Sequence, residues 1–342
     1  MPQALTLADW AKRQDPNSKQ AKIVELLNQS NEILDDMVFA EGNLPTGHRT
    51  TVRTGLPEAT WRMLNYGVQP SKSTTAQVTD STGMLETYSE VDKKLADLNG
   101  NTAEFLLSEA QAFIESMNQE MAETLFYGDT TVNAERFTGL SARFNDLSAK
   151  NGVNIIDAGG TGSNLTSIWL VTWGLNTIHG IYPKGSKAGL EQQHLGEVTL
   201  NDDKGGKYQG YRTHFKWENG LTMRDWRYVV RIANVDLSKL TKDPEATGAI
   251  DLPDLLIQAI EKIPNLSMGK PVFYCNQQVR SWMRRQIKNS KNVNISMQEV
   301  AGKKVVSFDE IPVRRTDAIL TTEDQVIRKQ DWPIVRCLNW CR

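Results

Sequence analysis

The sequence predicts an α+β fold organised around one long helix. Three observations lead there. Residues 101–127, NTAEFLLSEAQAFIESMNQEMAETLFY, repeat apolar side chains at helical spacing: Phe105, Leu106, Ala110, Phe113, Ile114, Met117, Met121 and Leu125. Residues 41–92, just before it, are cut by glycines and prolines into Thr-rich, strand-like pieces. The rest mixes helical and strand patterns without regular βαβ alternation.

The long helix is bounded by recognisable signals. Asn101 followed by Glu104 forms a capping-box-like start. Gly128 stands where a left-handed C-cap is expected. Such a helix is about 39 Å long and can serve as a spine for other layers.

Upstream, Thr6 can cap a short helix that ends near Asp15-Pro16. Ser18 opens a second, with Ile23, Leu26, Leu27, Ile33, Leu34 and Met37 on one broad face. Residues 1–40 therefore form an amphipathic arm, packed either on its own domain or on a neighbour. In residues 41–92 the punctuation is Gly42, Pro45, Gly47, Gly55, Pro57, Gly67, Pro70 and Gly83. The strand-like pieces are 49–53, 59–63, 74–78 and 84–88. This hairpin excursion buries too little apolar area to stand as a domain. It is either mobile or ordered by lying on another subunit.

After the spine, Ser167 to Ile181 is strongly apolar, and periodicity does not decide between strand and buried helix. Tyr208 to Ile232 reads as two strands around an Asn219-Gly220 turn. Asp251 caps a helix with Pro253 in its first turn. Lys270 to Cys275 is a strand, and Asn276 caps a basic helix, Gln277 to Lys288. Val305 to Leu320 is strand material broken by Pro312.

Composition narrows the function. The chain has 342 residues, 39% hydrophobic, 23% charged and of formal net charge -2. That balance gives no support to a generally basic nucleic-acid binder. No run approaches the roughly 20 apolar residues of a membrane span, and no signal-peptide core stands at the N-terminus. Cys275, Cys337 and Cys341 make no disulfide framework, which fits a reducing, intracellular origin.

No motif for catalysis or ligand binding stands in the sequence. Gly180 and Gly185 have phosphate-loop spacing, but Ser186 and Lys187 are in swapped order and Pro183 interrupts the loop. His48, His179, His194 and His214 have no metal-ligand spacing. No cofactor, metal or catalytic residue is expected, and the chain is read as architectural and not as an enzyme. Arg280, Arg284 and Lys288 recur at i, i+4 with Arg285 beside them. That helix face can meet phosphates, or it is a solvated or inter-subunit face.

The order of elements carries the strongest signal: arm, polar two-stranded excursion, spine helix, mixed α+β region. With Gly55-Leu-Pro-Glu-Ala-Thr-Trp-Arg62, Phe137-Thr-Gly-Leu140 and Ile311-Pro-Val313, it resembles the major capsid proteins of tailed double-stranded DNA bacteriophages. That fold is shared with encapsulins and the herpesvirus capsid floor. The resemblance implies an N-terminal arm over 1–40 and an extended loop over 41–92. A peripheral domain would cover 93–150 and 300–320, and an axial domain 151–299 and 321–342.

The implied function is self-assembly into hexamers and pentamers of an icosahedral capsid around packaged double-stranded DNA. The alternatives are an encapsulin-like compartment shell or an unrecognised hydrolase. Portal and scaffolding proteins, and a cement protein, are the implied partners besides further copies of the chain. DNA would be met by weak non-specific contact, with no membrane. Assembly would take place in the host cytoplasm and the product would be the virion capsid. Since the chain starts at the arm, a scaffold, if used, would be separate. Candidate inter-subunit contacts are Arg49, Arg53, Glu58, Trp61, Arg62 and Lys72. Lys72 is not expected to form a covalent cross-link.

Overall fold

The computed structural model describes residues 29–98, 101–202, 204–244, 246–289, 295–300 and 303–328. The helices expected from Thr6 and Ser18, and the tail with Cys337 and Cys341, lie outside them. From Gln29 the chain is already woven into the body. The Ser30 N–H donates to Asp317 (3.1 Å), and Asn31 bridges Thr316. Helix α1 (Ile33–Asp36) buries Ile33 completely. Strand β1 (Phe39–Glu41) then lies parallel to residues 178–182.

Strands β2 (Gly47–Gly55) and β3 (Thr74–Asp92) build the excursion, but β3 is a single strand of 19 residues. Its first part pairs with β2 as far as Ser81; from Thr82 onward it pairs with the body. The expected pieces at 74–78 and 84–88 are thus one strand, and 59–63 is not a strand. The excursion proper is shorter than 41–92.

A short turn of helix, α2 (Lys93–Ala96), leads to the spine, α3 (Thr102–Tyr127), close to the expected bounds. Both of its termini differ in detail from expectation. The Asn101 side chain donates to the Glu104 carboxylate and accepts from no backbone N–H, so it does not cap the helix. Gly128 has φ -55° and ψ 132°, so it is not left-handed. It is glycine for lack of space: a Cβ there would sit 2.2 Å from the Phe137 carbonyl oxygen. The chain returns at Phe137 to Leu140, and the Gly139 N–H bonds the Gly128 carbonyl (2.8 Å). Helix α4 (Leu140–Arg143) follows.

The remaining strands are β4 (Ile155–Asp157), β5 (Leu165–Trp173), β6 (Ile178–Tyr182), β7 (Leu190–Asn201), β8 (Lys207–Met223) and β9 (Val229–Asp236). They are followed by helix α5 (Leu252–Glu261), β10 (Lys270–Cys275), helix α6 (Gln277–Asn289), β11 (Ile295–Val300), β12 (Lys303–Phe308) and β13 (Ile311–Arg315). The main path of the sheet runs β11-β12-β13-β10-β5-β6-β8-β3-β2, with β1, β4, β7 and β9 branching from it.

The apolar run from Ser167 resolves into strands because β5 is covered on both faces. Trp169, Val171 and Trp173 face the C-terminal half of the spine, where Met121, Leu125 and Phe126 are buried. Ile168 and Leu170 face the opposite layer, built on α5 and α6 through Leu256, Val279 and Met283. The body is therefore helix, sheet, helices in section, and each fully buried Leu or Phe contributes about 1.5–3 kcal/mol of transfer free energy. The N-terminal half of the spine packs on β3 and β8, with Phe113 stacked on Phe215 at 5.9 Å.

Two turn expectations are overturned. Asn219-Gly220 is not a turn but lies inside the last part of β8, where Gly220 pairs with both Thr82 and Ile181. A Cβ at Gly220 would meet the Ser81 carbonyl oxygen at 2.6 Å, so backbone crowding demands the glycine. The hairpin that does exist joins β7 to β8. Pro312 does not break the late strands either. It lies in β13 opposite Ser307, and the reversal falls at Asp309-Glu310, both at positive φ (47° and 66°). Asp251 and Asn276 cap their helices as expected, accepting from the N–H groups of Asp254 (3.2 Å) and Val279 (2.8 Å).

Candidate assembly surface

The hairpin projects a tip, residues 56–73, that has no regular structure beyond an isolated turn. Its prolines and glycines prevent further pairing, while its apolar residues are left in water. Trp61 is 105% exposed and Leu64 86%, with Leu56, Met63, Tyr66 and Val68 also exposed. A few internal bonds shape the tip: the Ser71 hydroxyl donates to the Glu58 carbonyl (2.9 Å), and Tyr66 N–H to Met63 (3.3 Å). Glu58, Trp61, Arg62 and Lys72 all lie on this exposed tip, and Arg49 and Arg53 are exposed on β2. Arg49 bonds the Thr79 hydroxyl across the ribbon (3.3 Å). The structure thus brings the six expected residues onto one projecting element. Sequence reading left out the apolar companions of Trp61, although Leu, Met, Tyr and Val inside a Pro/Gly-punctuated loop were a visible signal.

The base of the ribbon is polar and buried. Asp80 on β3 accepts from Arg143 (2.8 Å) and from the Thr222 hydroxyl (2.6 Å). Arg143 also donates to the carbonyls of Leu221 (3.0 Å) and Thr138 (3.2 Å). Opposite Asp80 in register is His48. One ring nitrogen of His48 faces the Asn43 N–H (3.3 Å) and the other faces the Arg224 guanidinium (3.3 Å). The His179 ring lies edge-on at 6.2 Å. Burial, then the Arg224 charge, holds His48 below the usual imidazole range, and the same causes, with His48, press His179 down to about 4.

The basic helix α6 is amphipathic, with Val279, Met283, Gln286 and Ile287 buried. Arg280 turns toward Glu32 (4.0 Å), a residue that also pairs with Arg314 (3.2 Å). Arg284 and Arg285 are exposed, with Arg285 lying over the Trp282 ring at 4.8 Å. The Lys288 side chain is outside the described residues.

A family model for major capsid protein GP7 matches residues 15–327. The chain belongs to this family. A chain in the near-atomic structure of bacteriophage Epsilon15 is 39% identical to it, with a TM-score of 0.75, over 95% of this chain and 98% of that one. The bacteriophage JBD30 capsid is similar in fold, with a TM-score of 0.50 at 11% identity over 86% of this chain and 92% of that one. No curated protein matches the chain. The fold is that of phage major capsid proteins, and the subunit is a structural component that assembles with its own copies into the shell of the virion.

The rest of the capsid subunit's surface fits a structural role. A groove of about 470 Å³ runs between the spine, β3 and residues 317–320. Its carboxylates already have partners: Glu86 bonds His214 (3.1 Å), Glu120 and Glu123 meet Arg136 (2.7 and 3.6 Å), and Asp317 holds Arg315 (2.7 Å). Among the described residues no cluster of metal-ligating side chains occurs. The hydrolase alternative is set aside by the family assignment.

Proposed function

We propose that the subunit forms hexamers and pentamers of an icosahedral shell around double-stranded DNA, with the β2–β3 hairpin lying on a neighbouring copy. The observation that carries this is the exposed apolar tip around Trp61, borne at the end of a two-stranded ribbon. A patch of that kind marks an interaction site, and a bare ribbon gains order by docking. Arg49, Arg53, Glu58, Arg62 and Lys72 surround the apolar contact and set its register. Exposed ion pairs add only about 0–1 kcal/mol each, so Trp61 and its companions supply most of the affinity.

In this reading residues 1–40 act as an arm and the hairpin within 41–92 as the extended loop. Residues 93–150 and 300–320 make the peripheral domain, and 151–299 with 321–342 the axial domain. Arg284 and Arg285, with Arg280 and Lys288, are assigned to an inner or inter-subunit face that touches DNA weakly. Portal and scaffolding proteins, and a cement protein, are assigned as partners, and assembly is assigned to the host cytoplasm. The test is deletion of residues 69–75. The expected product is a folded subunit that sediments as small species where the full chain forms closed shells. Normal shells from the deletion would overturn the docking role.

A further inference from the structure

We infer that the base of the hairpin is an acid-released lock, held by neutral His48 and His179. This goes beyond shell formation and concerns how the ribbon is fastened to its own body.

The geometry is specific. His48 is the second residue of β2, and its ring is enclosed by donors. The Asn43 N–H points at Nδ1 and the Arg224 guanidinium, which can only donate, points at Nε2, both at 3.3 Å. A neutral imidazole can accept from one of them; an imidazolium sets N–H against N–H on both sides. His179 on β6 is 1% exposed, and its Nδ1 has no partner among the described residues. The charged groups facing the two rings come from several elements. Arg224 follows β8; Asp80 is on β3 and is already engaged by Arg143 of α4 and by Thr222. The Gly174 carbonyl, after β5, favours charge on His179 and is outweighed by burial. Charging both rings would place up to four cations around one carboxylate. The lightest element at the cluster is the two-stranded ribbon, so it is the ribbon that releases.

Both rings titrate below the ordinary imidazole range. The fastening is therefore complete above about pH 6.5 and is lost as pH falls toward the values in the fold. A ring moved from 6.5 to about 4 raises the opening equilibrium on the order of thirtyfold by pH 5.

The test is hydrogen–deuterium exchange of the purified full chain at pH 7.5 and pH 5, read as protection factors so that the intrinsic pH dependence of exchange cancels. Amides of residues 47–51 and 79–82 are expected to lose at least about tenfold in protection at pH 5, while spine-helix amides, which report folding, change little. His48→Gln combined with His179→Gln should abolish the loss. Arg224→Gln, which keeps both histidines and removes the fixed charge, should shrink it. Unchanged protection in the natural sequence, or equal loss in it and in whichever variants retain spine protection, would overturn the inference.

Discussion

Replacing Glu323 by alanine should be the most damaging single carboxylate change in the subunit. Arg231 and Glu323 are 3% and 5% exposed as side chains and meet at 2.8 Å. Glu323 also accepts from the hydroxyls of Ser167 and Tyr127, and its N–H bonds the Leu165 carbonyl (2.9 Å). Burial and Glu323 together push the Tyr127 phenol far above its usual range, so it remains a donor. Through these contacts one carboxylate ties the end of the spine to β5, β9 and the segment after β13. Removing it leaves the arginine charged and enclosed, a loss of about 3–5 kcal/mol. Arg231 keeps the Phe144 carbonyl (2.7 Å), the Ser167 hydroxyl (3.0 Å) and the Trp169 face (5.0 Å), which places the loss near the lower end. Replacing both members, Arg231→Met with Glu323→Leu, removes the stranded charge and should recover most of the stability. The assay is urea unfolding of the unassembled subunit followed by tryptophan fluorescence, with Arg231→Met and Glu323→Leu also made singly so that they and their double close a double-mutant cycle. A loss below about 1 kcal/mol for Glu323→Ala, or simple additivity in the double variant, would refute the reasoning.

Two further outcomes follow. Gly139→Ala puts a methyl 2.5 Å from the Thr124 carbonyl oxygen and 2.7 Å from that of Leu125. It should cost about 1–3 kcal/mol in the same urea assay, and an unchanged midpoint would contradict the close approach described at the end of the spine. Cys275 is fully buried, and burial pushes its thiol up to about 12. Iodoacetamide at pH 8 should leave it unlabelled until the protein is unfolded, as read by peptide mass mapping; labelling of the folded subunit would disprove its enclosure.

The spine was legible because it is long and its apolar stripe is continuous. The α5 and α6 caps were legible because Asp251 and Asn276 act locally. What failed depended on distant backbone. Asn219-Gly220 carries the strongest local turn signal in its region, yet β3 and β6 both pair across it and keep it extended. Gly128 was assigned to the right residue for the wrong reason, since the crowding comes from Phe137. Strand β7 was missed because most of its side chains are exposed, so it has no buried face to leave a pattern. Of the candidate surface, the tip was readable from composition. The basal cluster was not, because His48, Asp80, Arg143, His179 and Arg224 converge only through the sheet.

Strand β3 pairs first with β2 and then with β8 without interruption, and this fixes where the molecule can tolerate a change of length. Side chains alternate along a strand, so one residue gained or lost between Thr82 and Asp92 would move Leu85, Ser89 and Val91 off the spine-facing side and turn Glu86 and Glu90 inward. The same slip would travel outward and misalign every pair with β2. Residues added between Leu56 and Ser73 displace no strand partner, since pairing has ended there. The tip is thus the place where related shells can diverge in reach, while the shared strand holds the phase of everything behind it.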